Sequence, residues 1–224
     1  MFELEARAEP SRLMSWLSPL LAVMLMLGGG VLVFWALGKD PVEGFRVFFL
    51  NPVKDFYSLS ELLLKATPLM LCAIGLAIGF RANVWNIGAE GQFMLGAAAA
   101  TGVALYFDGS DSSLLLPVMI VAGALGGAAW AAIPALLRTR FNANEILVSL
   151  MLVYVAQLFV SWLVFGPWKD PDGFNFPQTR MFGDAALMPA LLEGTRLHYG
   201  FLLAIAVLIA GHAFMNRSFA GFRM

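Results

Sequence analysis

The stretch Phe80-Arg81-Ala82-Asn83-Val84-Trp85-Asn86-Ile87-Gly88-Ala89-Glu90-Gly91-Gln92-Phe93 gathers carboxamides, one carboxylate and small residues inside an otherwise apolar region. Such groups can hydrogen-bond a polar solute or brace neighbouring helices. Continued as one helix, spacings of three and four put Asn83, Asn86 and Glu90 on a single stripe, extended by Met94 and Ala97, with Gly88, Gln92 and Gly96 on the opposite face. A charge at a helix centre in a membrane costs about 2.5–3.5 kcal/mol for Asp, Lys or Arg, and such residues normally face other helices or a wet cavity. Glu90 therefore needs a partner. Asn83, Asn86, Glu90 and Gln92 are the candidates for a translocation path or for polar bracing. In the bracing role, Glu90 caps backbone amides or pairs with Arg81. A further reading concerns geometry: the asparagines ahead of Gly88, followed by Gly91, mark a broken helix whose open backbone is buried in protein.

A second polar patch is Arg138-Thr139-Arg140-Phe141-Asn142-Ala143-Asn144-Glu145-Ile146. Asn142 or Asn144 suits the N-cap of the following helix, with Glu145 in the first turn favoured by the helix dipole. The alternative is that Arg138, Arg140, Asn144 and Glu145 touch a cytoplasmic partner. His198 and His212 stand 14 apart without metal-ligand spacing and read as packed or interfacial. The single cysteine, Cys72, lies within an apolar run and reads as a small buried residue. There is no H-E-x-x-H, no G-x-S-x-G and no phosphate-binding G-x-x-x-x-G-K-[ST]. The expectation is a chain that is not an enzyme, holds no cofactor or metal, and leaves any ATP to another polypeptide.

The elements that must position these residues follow from composition. Of 224 residues, 60% are hydrophobic and 13% charged, against roughly 25% charged in soluble domains. The apolar residues lie in runs long enough to cross a bilayer, which takes about 20 helical residues. The expected helices cover about 13–37, 62–80, 84–107, 114–137, 145–167 and 197–215: an all-α polytopic transmembrane helix bundle of about six helices. The first run follows Arg7 and Arg12 but exceeds the 7–15 apolar residues of a secretion signal, so it reads as a retained anchor.

Loop charge sets the orientation. With a cytoplasmic N-terminal segment 1–12, the short connectors at 81–83 and 138–144 carry Arg81, Arg138 and Arg140 without any acid. The opposite side mixes Lys39, Arg46, Lys54 and Lys169 with Asp40, Glu43, Asp55 and Asp170. The loops 38–61 and 169–196, rich in Pro, Gly, Asp and aromatics, read as ordered turns that cap the outer face. Gly75-x-x-x-Gly79 and Gly123-x-x-x-Gly127, with Gly88 and Gly91, are the candidates for close helix packing. With no basic cluster on any segment, a nucleic-acid partner is not expected.

The first block resembles the signature of ABC transporter permeases for nucleosides and simple sugars, in the broader group of ribose and branched-chain amino acid permeases. Asn142-Ala143-Asn144-Glu145-Ile146-Leu147-Val148-Ser149-Leu150-Met151-Leu152 resembles their second block, and Arg217-Ser218-Phe219-Ala220-Gly221-Phe222-Arg223 resembles the approach to their cytoplasmic coupling segment. The resemblance runs from about residue 13 to the end. It implies a type II importer-like fold in a bacterial inner membrane and a transmembrane domain over 13–217. It also implies a coupling segment beginning at 218–224, with Arg223 among the partner contacts. The implied partners are a second homologous permease, two ATPase subunits and an extracytoplasmic solute-binding protein, with nucleosides ahead of sugars as cargo. Family members are longer, so the chain is expected to be an N-terminal fragment or a truncated product. Two rival functions are an ion-coupled secondary transporter, for which Glu90 is the one deep carboxylate, and a non-transporting membrane accessory subunit.

Overall fold

A computed structural model describes residues 11–174 and 176–223. The N-terminal residues 1–10, with Arg7, and Met224 at the end of the expected coupling segment lie outside the described residues. The described residues form α-helices joined by turns, two short 3-10 turns and one isolated bridge between Ala190 and His198. Among the described residues, five helices are long and apolar enough to cross a membrane. The chain divides into two compact units, Met1–Leu62 and Leu63–Met224.

In the first unit, helix α1 (Arg12–Ala36) is capped by Ser11, whose side chain accepts from the Met14 amide at 3.5 Å. It ends where Gly38 takes φ +66°, a left-handed conformation that glycine adopts without a Cβ clash. The Lys39 amide then reaches back to the Phe34 carbonyl at 2.9 Å. Helix α2 (Pro41–Phe49) follows at once. Asp40 caps it by accepting from the Val42 amide at 2.8 Å, and Pro41 occupies the first turn, where its missing N–H is not needed. The expectation of turns throughout 38–61 is corrected here, because Asp40-Pro41 starts a helix rather than breaking one.

Helix α3 (Phe56–Arg81) starts in the first unit and runs on into the second. Asp55 accepts from the Ser58 amide at 2.7 Å, and that bond, more than the nearby Lys54, holds its carboxyl below the usual carboxylate range. The cap starts this helix six residues before the expected position, at Phe56 instead of 62.

In the second unit, α4 (Ala89–Tyr106) packs against α5 (Leu115–Phe141) and α6 (Glu145–Phe165). Glycine makes the α4–α5 contact possible. A Cβ on Gly96 would stand 2.8 Å from the Gly123 carbonyl oxygen, and one on Gly127 would stand 3.1 Å from the Gln92 carbonyl oxygen. Backbones can approach this closely only where side chains are absent. Helix α4 is not among the five membrane-length apolar helices. Glu90 and Gln92 lower its hydropathy, while Gly91 and Gly96 pack on α6 and α5. Helix α7 (Gly200–Arg217) and the short α8 (Phe219–Arg223) complete the unit.

The loop between α6 and α7 lies over one end of α4 and α5. Phe182, Ala185 and Ala186 pack on Val103, Ala104, Leu115 and Met119, and Arg180 pairs with Asp108 at 3.7 Å.

Candidate functional site

The first polar block is not one helix. Asn83 takes φ +54°, a conformation in which asparagine is enriched among non-glycine residues. It closes α3 with a pair of bonds: its own amide donates to the Phe80 carbonyl at 3.1 Å, and the Val84 amide donates to the Gly79 carbonyl at 2.9 Å. The chain then runs without helix through Gly88, so the helix expected over 84–107 begins only at Ala89. The expected stripe of Asn83, Asn86 and Glu90 is corrected accordingly: Asn83 and Asn86 precede α4, and only Glu90 lies on it. Residues 82–88 form the connector between α3 and α4, with Val84, Trp85 and Ile87 exposed and Gly88 buried, so no single helix is broken here.

A non-helical connector leaves backbone groups that must be satisfied internally. Asn86 does much of this. Its Oδ1 accepts from the Gly88 amide at 2.9 Å and from Gln92 Nε2 at 3.3 Å, while its Nδ2 donates to Gln92 Oε1 at 3.1 Å. The two carboxamides thus form a reciprocal pair that ties the connector to the first turn of α4. The Ile87 amide donates to Ser149 Oγ at 3.2 Å, and Ser149, 2% exposed, donates onward to the Ile146 carbonyl at 3.1 Å. Gly88 is buried against Ser149, where a Cβ would stand 2.9 Å from the serine Cβ. Gly91 approaches the Val153 Cα to within 3.1 Å of where its own Cβ would be.

Arg138 joins the second polar patch to the first. Its guanidinium pairs with Glu145 in the first turn of α6 and donates to the Asn83 carbonyl at 3.4 Å. Asn142 ends α5 at φ +52°, and Asn144 caps α6 by accepting from the Ile146 amide at 3.0 Å. Both connectors therefore meet at one end of α3, α5 and α6. A cavity of about 210 Å³ opens between them, lined by Asn86, Gln92, Arg138, Glu145 and Ser149 with Gly75 and Gly79. A second cavity of about 300 Å³, lined by Leu71, Cys72, Gly75 and Phe93, shares Asn86 and Gln92 as a wall.

Glu90 stands apart from these cavities. It is exposed in this chain, in the first turn of α4, and accepts from Gln157 Nε2 of α6 at 3.4 Å. The expected lock with Arg81 does not form, since Arg81 at the end of α3 donates to Asn216 Oδ1 of α7 at 3.2 Å.

The glycines divide. Gly88, Gly91, Gly123 and Gly127 sit at backbone contacts, together with Gly96 and Gly126. Around a Cβ on Gly75 there is nothing within 4 Å, and one on Gly79 would meet only the Val84 carbonyl of its own connector, so neither packs a second helix. Arg140 is exposed, and the Arg223 guanidinium lies over the Phe219 ring at 5.7 Å. Ser149, Gln157 and Asn216 were not legible as site residues; their one signal is a polar side chain inside an apolar run.

Residues 58–224 match the family model described as branched-chain amino acid transport system / permease component. The chain is 37% identical over 234 residues to the glucose ABC transporter permease protein of Haloferax volcanii, covering 98% of this chain and 61% of the relative. It is 29% identical over 217 residues to the guanosine ABC transporter permease protein of Bacillus subtilis, covering 95% and 61%. It is 25% identical over 215 residues to the nucleoside ABC transporter permease protein of Lactococcus lactis, covering 93% and 59%. The chain thus spans about three-fifths of the length of these relatives. No solved structure matches it at a significant level.

Proposed function

Because the chain belongs to the branched-chain amino acid transport system permease component family and is a multi-pass membrane protein, we propose that it serves as a permease subunit of an ATP-driven importer for nucleosides or simple sugars. In this reading a second, homologous permease pairs with it, two ATPase subunits bind on the cytoplasmic side, and an extracytoplasmic binding protein delivers the solute. The chain itself carries out no covalent chemistry. The membrane is the bacterial inner membrane and the N-terminus is cytoplasmic, which puts Arg138, Arg140, Asn144, Glu145 and Arg223 on the side where ATPases dock.

One observation carries the proposal: Glu90 and Gln157 form a carboxylate–carboxamide pair on an exposed face of α4 and α6. Hydrocarbon is an unfavourable neighbour for such a pair, so in the membrane this face meets water or another polypeptide. A polar conduit between two permeases offers both. The Asn86–Gln92 pair and the Arg138–Glu145 pair brace the connector between α3 and α4 from within the chain.

The test is uptake of labelled nucleoside and sugar into vesicles containing the assembled transporter. The reading predicts uptake that requires ATP hydrolysis and falls severalfold with Glu90→Gln at unchanged protein level. Uptake that follows an ion gradient without ATP, or no effect of Glu90→Gln, would sink it.

A further inference from the structure

Helix α2 is nine residues long and has no buried residue. At 100° per residue, Glu43 and Arg46 share a narrow strip, where they pair at 3.4 Å, while Val42, Phe45, Val47, Phe48 and Phe49 cover the rest of the circumference. Phe48 is 71% exposed and Val42 76%. A helix so apolar would not stand free in water.

Its position says what covers it. Through Gly44 and Phe45 the helix turns back onto α1: a Cβ on Gly30 would stand 2.9 Å from the Phe45 ring, one on Gly44 would stand 2.7 Å from the Phe34 ring, and the Phe34 and Phe45 rings meet edge to face at 5.7 Å. Gly30 is six residues before the end of α1, or about 9 Å along its axis at 1.5 Å per residue. Helix α1 is a membrane-length apolar helix, and α3, which opens seven residues after α2, is another. The segment is thus tethered to the bilayer at both ends. With the end of α1 at the membrane boundary, that distance of about 9 Å matches the depth to which an interfacial amphipathic helix buries its apolar face, about 5–10 Å. Trp35 near the end of α1 and Tyr57 at the start of α3, both exposed, are residue types that favour the membrane–water boundary.

We propose that α2 is an interfacial helix, lying in the plane of one bilayer leaflet with Phe48, Phe49 and Val42 among the acyl chains and with Glu43 and Arg46 at the headgroups. The occupant of its apolar face is lipid. A protein partner is the competing cover, and the test separates them.

Cys72 is the single cysteine, so a Cys72→Ser background allows one nitroxide label at a time at positions 42, 43, 46, 48 and 49, with Leu25 of α1 as the lipid reference. Collision rates with oxygen and with a water-soluble nickel chelate are measured on the assembled transporter in bilayers. The proposal expects an oxygen-to-nickel ratio severalfold higher at 42, 48 and 49 than at 43 and 46. Nickel access at all five positions, or exclusion of both reagents at 48 and 49 by a protein cover, overturns it. Maleimide labelling of the same cysteines in intact membranes gives a second readout. Membrane-permeant reagent outpacing impermeant reagent at 48 and 49 is expected, and equal rates contradict the assignment.

Discussion

At the scale of single residues, the site is built from pairs. Arg138 and Glu145 show 36% and 18% side-chain exposure, so each partly shields the other from water. Removing the guanidinium leaves a carboxylate with reduced solvation, which typically costs about 1–3 kcal/mol. We predict that Arg138→Ala and Glu145→Ala each lower the unfolding temperature of the purified complex, and that the double variant loses less than the two separate losses added. Additive losses would show that the pair is not coupled. The Asn86–Gln92 pair makes a sharper demand, because Asn86 also holds the Gly88 amide. Asn86→Leu is predicted to lower the amount of assembled protein, since it strands a backbone donor in the connector. Gln92→Leu is predicted to do so less, because Asn86 then keeps its bond to Gly88. Equal effects on assembly would show that this backbone donor does not matter. Residue types alone single out Asn83, Asn86, Glu90 and Gln92 as candidates for a path or for polar bracing, with Glu90 in need of a partner. Asn86 and Gln92 meet each other six residues apart, whereas Gln157, which meets Glu90, and Ser149, which meets the Ile87 amide, lie 67 and 62 residues away, a separation on which local spacing carries no information.

At the scale of elements, long apolar runs located the spans because a bilayer demands about 20 apolar residues per helix. Two elements escaped that logic. Helix α2 was hidden by proline and aspartate, which read as turn residues until their order places Asp40 at the cap and Pro41 at the first turn. The start of α4 was hidden because a helical stripe could be drawn through Asn83, Asn86 and Glu90 although the backbone between them is not helical. The α4–α5 contact yields a direct prediction: Gly96→Val forces a branched side chain against the Gly123 carbonyl and is expected to cost about 1–3 kcal/mol by overpacking. Thermal unfolding in detergent would measure it, and an unchanged midpoint would refute the contact. At the other end of the chain, the Asp55 carboxylate caps α3 with a lowered pKa. Its contribution is present above the unfolded pKa and is lost as pH falls through the lowered folded one. Hydrogen exchange at the Ser58 amide is therefore predicted to accelerate, relative to the intrinsic rate, on acidification through that range. Asp55→Asn should retain protection without the pH dependence; persistence of the dependence in that variant would exclude Asp55 as its source.

For the whole molecule, an exposed polar face has a different meaning in a membrane than in water. In water, Glu90 and Gln157 would be an unremarked surface pair. In a chain of membrane-length helices we propose that they mark a face that lipid does not cover, as a permease would need. The most direct measurement is the chemical access of a cysteine at position 90, introduced with Cys72→Ser into the assembled, bilayer-embedded transporter. Modification by a small water-soluble thiol reagent is expected, with the reaction slowed by the transported solute. Modification only by lipid-soluble reagents, indifferent to solute, would contradict the proposal.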